Sequence, residues 1–519
     1  MDLPVVPAPL LVTATGGAPF DPRAGLRVVL PAGPEPVPDE VRALARRLAD
    51  DLAALAGLPV AVSTTDSTIG GTGDAGGTGG TVELRLVPPA ELGLPAGTPL
   101  DAGPGTADPT GVRAAEAHRL DVRAGRATLS ATTAAGLRHA ATTLRQLVAA
   151  GPAVPACTIV DAPRYPWRGL ALDVARHFVD VPTVEAVLDV MATLKLRVLH
   201  LHLTDDQGWR LDVPSRPQLT ARSGHTAVDG DPAGFYTAAD WDRLLAAAAA
   251  RGVELVPEID VPGHVNAAQH ALPELNPTGE AAAVHTGIEV GFSQLHAALP
   301  ATGGFLRDVL SDVAAMTPGG YVHIGGDEAL TMQPGEYGEI VALAAAAVRN
   351  AGKTVVGWQE IAKVPLEPGT VVQWWDEREG AEHVAAAARA GALVLLSPAT
   401  HAYLDLKYHP GFPLGLEWAG HVELRDAHGW EPADAVPGLP AERITGVEAC
   451  LWTETVRTPD DVFLMLLPRL AAVAEVAWSA PDRRGWDGFT ARVATLARGW
   501  DAAGLPWYRS PQVSWHDNA

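Results

Sequence analysis

The chain has 519 residues, room for roughly three domains by length alone, although α/β barrels often use about 250 residues as one. Apolar residues make up 47% and charged residues 19%, the balance of a folded chain with a large core rather than a disordered one. Lys and Arg number 38 against 61 Asp and Glu, a net charge of −23. That sign argues against nucleic acid and anionic membranes as partners, because both need a basic face.

Two cysteines, Cys157 and Cys450, exclude a disulfide scaffold and a cysteine-ligated zinc site, and favour two buried free thiols over one disulfide. No run of about 20 apolar residues exists, so no membrane span is expected. Residues 1–20 hold no basic segment followed by an apolar stretch, so no signal peptide is expected. The chain is then either cytoplasmic or a secreted protein whose signal has been removed.

All 14 Trp lie at or after position 167. That step in composition, with Pro152, Pro155, Pro163 and Pro166 clustered beside it, predicts a boundary and two domains, 1–160 and 161–519. The first reads as a small α/β unit. Arg27–Leu30 and Thr81–Val87 read as strands, and Asp39–Ala56 as a helix with Val41, Leu44, Leu48, Leu52 and Leu55 on one stripe. His118–Val122 and Ala127–Ala131 flank a hairpin turn, and Thr133–Ala149 reads as a second helix. Ser67–Gly80, rich in Gly, Thr and Asp, reads as a flexible loop. No acid, base or nucleophile clusters here, so a supporting role is expected.

The second part repeats one pattern eight times, an apolar run of strand length ending in a polar or aromatic residue. The runs are Gly169–Asp173, Val198–Asp205, Val253–Asp260, Tyr321–Glu328, Thr354–Glu360, Thr370–Asp376, Ala392–Pro398 and Gly446–Glu454. Helical stretches alternate with several of them, such as Thr183–Leu194, Ala238–Arg251, Phe305–Ala315, Ile340–Asn350 and Ala381–Ala390, and Asp460–Trp478 follows the last. Near-continuous apolar strands alternating with helices imply a parallel sheet, and eight imply a (β/α)8 TIM barrel.

A barrel carries its active site at the C-terminal strand ends. Here those ends hold Asp173, Asp205, Asp206, Asp260, Asp327, Glu328, Trp358, Glu360, Trp375, Asp376, Trp452 and Glu454, with His264 just beyond the third. Carboxylates accept hydrogen bonds from hydroxyls, and indole faces pack on the C–H face of a sugar ring. The set suits a neutral polyhydroxylated substrate. A phosphorylated one would call for more cations. The strongest motif is His323-Ile-Gly-Gly-Asp327-Glu328. Two adjacent carboxylates face one site only where the chain leaves the strand, and Gly325-Gly326 permits that bend. Crowded like charges raise the pKa of one member. His264 follows a Pro-Gly turn four residues after Asp260, so an Asp–His contact is expected.

These motifs, in their order, resemble the β-N-acetylhexosaminidases of glycoside hydrolase family 20 over about 160–500. They are Arg168-Gly-Leu-Ala-Leu-Asp173 with Ala175-Arg-His-Phe178, His202-Leu-Thr-Asp205-Asp206-Gln-Gly-Trp209-Arg210, Pro257-Glu-Ile-Asp260-Val-Pro-Gly-His264, His323 to Glu328, Gly357-Trp358, Trp374-Trp375, Tyr403-Leu-Asp405 and Trp452-Thr-Glu454. The first 160 residues look like that family's accessory domain. The resemblance implies an exo-acting enzyme on terminal β-linked GlcNAc or GalNAc of oligosaccharides or glycoconjugates, with no cofactor and no metal. It implies a substrate-assisted retaining mechanism, in which the 2-acetamido oxygen attacks the anomeric carbon. Glu328 would be the general acid and then base. Asp327 would bind the acetamido N–H, and Tyr403 would donate to the acetamido oxygen. Trp358, Trp375 and Trp452 would enclose that group. Arg168, Asp405 and Glu454 would read ring hydroxyls, and Asp205 with His264 would support the acid. Alternation lets only one of Trp374 and Trp375 face inward, and the motif favours Trp375. Two other readings compete. A metal-dependent barrel hydrolase would use His200 and His202. A catalytically silent sugar-binding protein would be expected to lack the acid.

Overall fold

The computed structural model describes residues 3–31, 36–63, 80–103 and 105–516. The tract expected as a flexible loop, Ser67–Gly80, lies outside them except for Gly80, which opens a strand. The chain divides into two compact units. One is Met1–Pro166 with Ala474–Gly504 and Pro511–Ala519, and the other is Trp167–Val473 with Leu505–Ser510. The division read from sequence put everything after 160 with the barrel. Instead, a C-terminal segment groups with the N-terminal residues.

The first unit holds a seven-stranded mixed sheet. Its order is Leu11–Ala14, Cys157–Asp161, His118–Arg123, Arg126–Ala131, Gly80–Leu86, Leu26–Val29 and Val60–Ser63. The helix Asp39–Ala56 opens with Asp39 and Glu40 at its positive end and closes at Gly57 with φ 69°. Its stripe of Val41, Leu44, Leu48 and Leu52 joins Val82, Leu84, Leu120 and Leu129 of the sheet in one core. A second helix, Ala134–Ala150, contributes Leu137, Leu144 and Leu147 to that core and is capped by the Thr133 side chain.

The second unit holds a closed parallel eight-stranded barrel. Its strands are β1 (Trp167–Asp173), β2 (Val198–His202), β3 (Glu254–Glu258), β4 (Tyr321–His323), β5 (Thr354–Trp358), β6 (Val371–Trp374), β7 (Leu393–Leu396) and β8 (Ile444–Leu451). The interior is layered. Trp167, Val198, Val256, Val356, Val371, Leu393 and Leu395 pack near the strand starts. Above them His200, Gln373 and Glu448 form a buried polar layer, joined by Gln373 Nε2 to Glu448 Oε1 at 3.0 Å and His200 Nδ1 to the same oxygen at 3.0 Å. The helix expected at Phe305–Ala315 begins earlier, at Pro300, and that at Ile340–Asn350 begins at Pro334. Proline at the first helical position and the glycines after it hide both starts from a periodicity search. The stretch Asp460–Trp478 forms two helices, Pro459–Leu466 and Arg469–Trp478, because Pro468 has no amide proton to continue a helix. Cys157 and Cys450 are both free and buried.

Candidate active site

Asp327 and Glu328 sit where the chain leaves β4. Gly325 and Gly326 have φ of 67° and 111°, and Glu328 itself has φ 46°. Backbone bonds pin the turn. Trp358 N–H donates to Gly325 O at 2.9 Å, and Tyr337 Oη donates to Gly326 O at 2.7 Å. Gly326 N–H donates to Asp260 Oδ1 at 3.1 Å. Asp327 is buried, whereas the Glu328 side chain is 28% exposed. Burial, and then the Glu328 charge, push the Asp327 carboxyl up, against the pull of His264. Its Oδ1 has no hydrogen-bond partner among the described residues.

His264 lies beside both carboxylates, Nε2 at 3.6 Å from Asp327 Oδ2 and 3.5 Å from Glu328 Oε2. Its φ of 55° turns the ring back over the barrel. Nδ1 stands 3.2 Å from Asp205 Oδ1. Burial alone would depress this imidazole, but the charges of Asp205 and Asp327 hold it well above its ordinary value. Burial pushes Asp205 up, yet Arg176 and His264 hold it well below the usual carboxylate range. The neighbouring Asp206 accepts from Asn266 N–H at 2.9 Å and Ser293 Oγ at 2.5 Å, fixing the loop that carries His264.

A chain of rings faces this corner. Trp358 lies 5.7 Å from Trp452, Trp452 6.1 Å from Tyr403, and Tyr403 stacks on Trp375 at 6.2 Å with an 11° interplanar angle. Trp418, which the sequence reading did not single out, stands edge-on to both Trp375 and Tyr403 at 5.9 Å. Trp374 is the last ladder residue of β6 and joins none of these pairs among the described residues. Burial keeps the Tyr403 phenol protonated, well above its ordinary pKa, so it presents a donor. Trp375 Nε1 donates to Glu360 at 3.3 Å.

Asp405, Glu454 and Arg176 form a second polar cluster. Both Asp405 oxygens are buried without a hydrogen-bond partner among the described residues. Burial and the Glu454 charge push Asp405 well up. Its loop is braced by the buried Arg469, which donates to the Leu404, Leu406 and Val422 carbonyls at 2.5, 2.7 and 2.8 Å. Arg176 spans Asp173 at 3.3 Å and Asp205 at 2.8 Å, lies 5.1 Å over the Trp452 ring, and keeps a buried Nε without a hydrogen-bond partner among the described residues.

Arg168 is not part of this mouth. It is the second residue of β1 and fully buried, and its Nε donates to Lys195 O, just before β2, at 3.1 Å. It therefore serves the opposite end of the barrel from the mouth. The cation among the strand-end carboxylates is Arg176, from the loop after β1. Alternation carried a usable signal. Arg168 lies five residues before Asp173, an odd interval that puts the two on opposite faces and about 17 Å apart along the strand.

Among the described residues, four trios of donor side chains come within 4.8 Å of one another, including His200, Glu258 and His323, and Asp260, His264 and Asp327. His202 is poorly suited to a metal. Its Nδ1 lies 2.6 Å from Glu258 Oε2 and its Nε2 2.8 Å from Asp205 Oδ2, so both nitrogens carry protons and neither offers a lone pair.

The catalytic-domain model of glycosyl hydrolase family 20 matches residues 165–341 and 336–481, and that family's domain 2 matches residues 2–162. The chain belongs to glycosyl hydrolase family 20. It is 52% identical to a β-N-acetylhexosaminidase of Cellulomonas fimi over 99% of this chain and 97% of that one. The family 20 β-N-acetylhexosaminidase of Streptomyces coelicolor A3(2) superposes with a TM-score of 0.88 at 41% identity, covering 99% of both chains. A mutant of the Streptomyces plicatus β-hexosaminidase, solved in complex with its product GlcNAc, gives 0.87 at 41% identity over 99% of this chain and 98% of that one.

Proposed function

We propose that the chain removes terminal, non-reducing β-linked N-acetylhexosamine by substrate-assisted retaining hydrolysis. The observation that carries this reading is Asp327. It is a buried carboxylate beside the acid and close to Asp260, and its Oδ1 has no hydrogen-bond partner among the described residues. An acetamido N–H is the donor it lacks. In the first step the acetamido oxygen attacks the anomeric carbon, and the bond to the leaving oxygen breaks as Glu328 gives that oxygen its proton. Asp327 holds the N–H and balances the positive charge that spreads over the resulting oxazolinium ring. Tyr403 donates to the acetamido oxygen and aligns it, while Trp358, Trp375 and Trp452 exclude water and restrict the group to an attacking pose. In the second step the Glu328 carboxylate takes a proton from water, which attacks the same carbon and reopens the ring with overall retention.

Arg176, Asp405 and Glu454 read the ring hydroxyls in this scheme, with Arg176 taking the place that the resemblance gave to Arg168. Asp205 and His264 position the acid. The test is hydrolysis of p-nitrophenyl β-N-acetylglucosaminide beside the matching β-glucoside. Strong turnover of the first and none of the second is expected. Equal rates would mean that the acetamido group takes no part.

A further inference from the structure

Glu258 closes β3 beneath the mouth and is fully buried. Four side chains from three other strands, β2, β4 and β5, converge on its carboxylate. Oε1 accepts from Trp358 Nε1 at 2.8 Å and lies 2.9 Å from His323 Nδ1. Oε2 lies 2.6 Å from His202 Nδ1 and 3.0 Å from His200 Nε2. Asp260 and Asp327 lie close enough to interact with it, and burial pushes both of their carboxyls up, while Glu448 stands behind His200.

Two paths leave this carboxylate. The first runs through His202, whose ring nitrogens both face carboxylate oxygens, so it is an imidazolium fixed between Glu258 and Asp205. Asp205 holds His264 at 3.2 Å, and His264 stands 3.5 Å from Glu328. The second path is one hydrogen bond long and ends in the indole of Trp358. The first path reaches the proton donor and the second reaches a wall of the acetamido pocket. A single anion therefore anchors two groups that must act in one step, the proton donor and the wall that aims the internal nucleophile. Misplacing either by about 1 Å lowers the rate by about a hundredfold.

We propose that Glu258 is a positioning residue that fixes the acid and the acetamido pocket in register, through His202 on one side and Trp358 on the other. This rests on the hydrolytic reading above. Glu258 touches neither the substrate nor the reacting atoms in that reading.

The test uses aryl β-N-acetylglucosaminides of graded leaving-group pKa, together with a thiazoline mimic of the oxazolinium intermediate. Poor leaving groups need the acid most, so a displaced acid steepens the fall of kcat/KM with leaving-group pKa. A displaced wall weakens thiazoline binding instead. In Glu258→Gln the amide has one oxygen and one NH2, so one side always meets a donor where an acceptor stood. Both readouts are expected to move together. Turnover of the poorest leaving group should fall about a hundredfold, activated aryl glycosides should lose about tenfold or less, and thiazoline affinity should drop about tenfold. His202→Gln is expected to steepen the slope, with a smaller loss of thiazoline affinity because His202 also stands edge-on to Trp452 at 5.0 Å, and Trp358→Phe to weaken thiazoline binding with the slope unchanged.

A uniform loss across leaving groups with thiazoline affinity unchanged would overturn the proposal, and so would movement of only one readout in Glu258→Gln. If Glu258→Gln does not fold, the other two variants decide, because an unaltered slope in His202→Gln breaks the path to the acid. Wild-type inhibition by thiazoline and a steepened slope in Glu328→Gln are the controls for the hydrolytic reading. Failure there sinks that reading and leaves the Glu258 geometry a separate question of structure.

Discussion

Glu328 and His264 both sit in the left-handed backbone region, at φ 46° and 55°. Each such residue stores on the order of 1–3 kcal/mol of strain, and here the strained pair places an acid and an imidazole 3.5 Å apart. Glu328→Gln keeps shape and removes the proton, so turnover of poor leaving groups should fall by about 10²–10⁴-fold with thiazoline affinity largely retained. Asp327→Asn should slow the first step and weaken thiazoline binding, because an amide no longer balances the positive ring. Near-normal kinetics in that variant would remove substrate assistance from the mechanism.

Glu360 gives a pH prediction. Burial, and then the Asp327 charge, push its carboxyl up to about 8. An unfolded glutamate releases its proton near pH ~4.3. Between those values the folded chain binds the extra proton, so this group's contribution to stability falls as pH rises through the window. The melting temperature of Glu360→Gln should therefore decline less than the wild type's between about pH 5 and 8, read by scanning calorimetry. Parallel curves would show that Glu360 ionises normally in the folded chain. The carboxylates, indoles and Tyr403 were legible at this scale because barrel topology sends every strand end to one mouth. Arg176 was not, because it lies past the strand, on a loop whose course alternation does not fix. Glu258 and His202 were hidden for another reason. Their partners come from four different strands, and no local spacing records that.

At the scale of elements, the end of β4 decides whether the site exists. A Cβ on Gly325 would overlap the Asp260 carboxylate, and the φ of 67° disfavours any L side chain. Gly325→Ala should destabilise the barrel by about 1–3 kcal/mol and lower kcat by more than that loss accounts for, since Asp327 and Glu328 leave the strand through this residue. A soluble variant with wild-type kcat would show that the turn tolerates a side chain. All eight barrel strands were readable because strands buried on both faces are continuous apolar runs. Seven of their ends were read too long, as in Tyr321–Glu328 against an observed Tyr321–His323, because the residues that leave the ladder to build the site follow it without a break in the run. The edge strands Leu11–Ala14 and Val60–Ser63 escaped notice in the first unit. Each has four residues, mostly exposed or half-buried, and so shows no period-two burial.

At the scale of the whole molecule, the first unit is built from both ends of the chain. Trp486–Ala502 is a helix with Phe489, Val493, Ala497 and Trp500 buried, a stripe the sequence reading did not single out, and a stripe does not say what it packs against. The hydrogen bonds do. Within this unit Trp478 Nε1 donates to Asp161 at 3.0 and 3.1 Å, Ala8 N–H donates to Glu475 at 3.1 Å, and Ser479 Oγ donates to Ala8 O at 2.7 Å. Arg492 then holds Glu475 at 2.5 Å. Asp161 is fully buried and also accepts from the Leu10 and Ala162 N–H groups at 3.0 Å each, so removing the indole donor thins the hydrogen-bond set of a buried carboxylate. Trp478→Phe keeps an aromatic ring and loses the N–H, and should destabilise this unit by about 1–3 kcal/mol. That corresponds to a drop of about 2–4 °C in melting temperature for each kcal/mol in a unit of this size. Because Trp478 is none of the site residues, kcat/KM on p-nitrophenyl β-N-acetylglucosaminide well below the transition should stay at the wild-type value. Truncation after Val473 removes Trp478, Glu475 and Arg492 together, and should make residues 1–166 sensitive to limited proteolysis under conditions where the full chain resists. Equal resistance in the truncated chain would mean that the N-terminal residues complete their own core, and that the C-terminal segment covers a unit already stable without it.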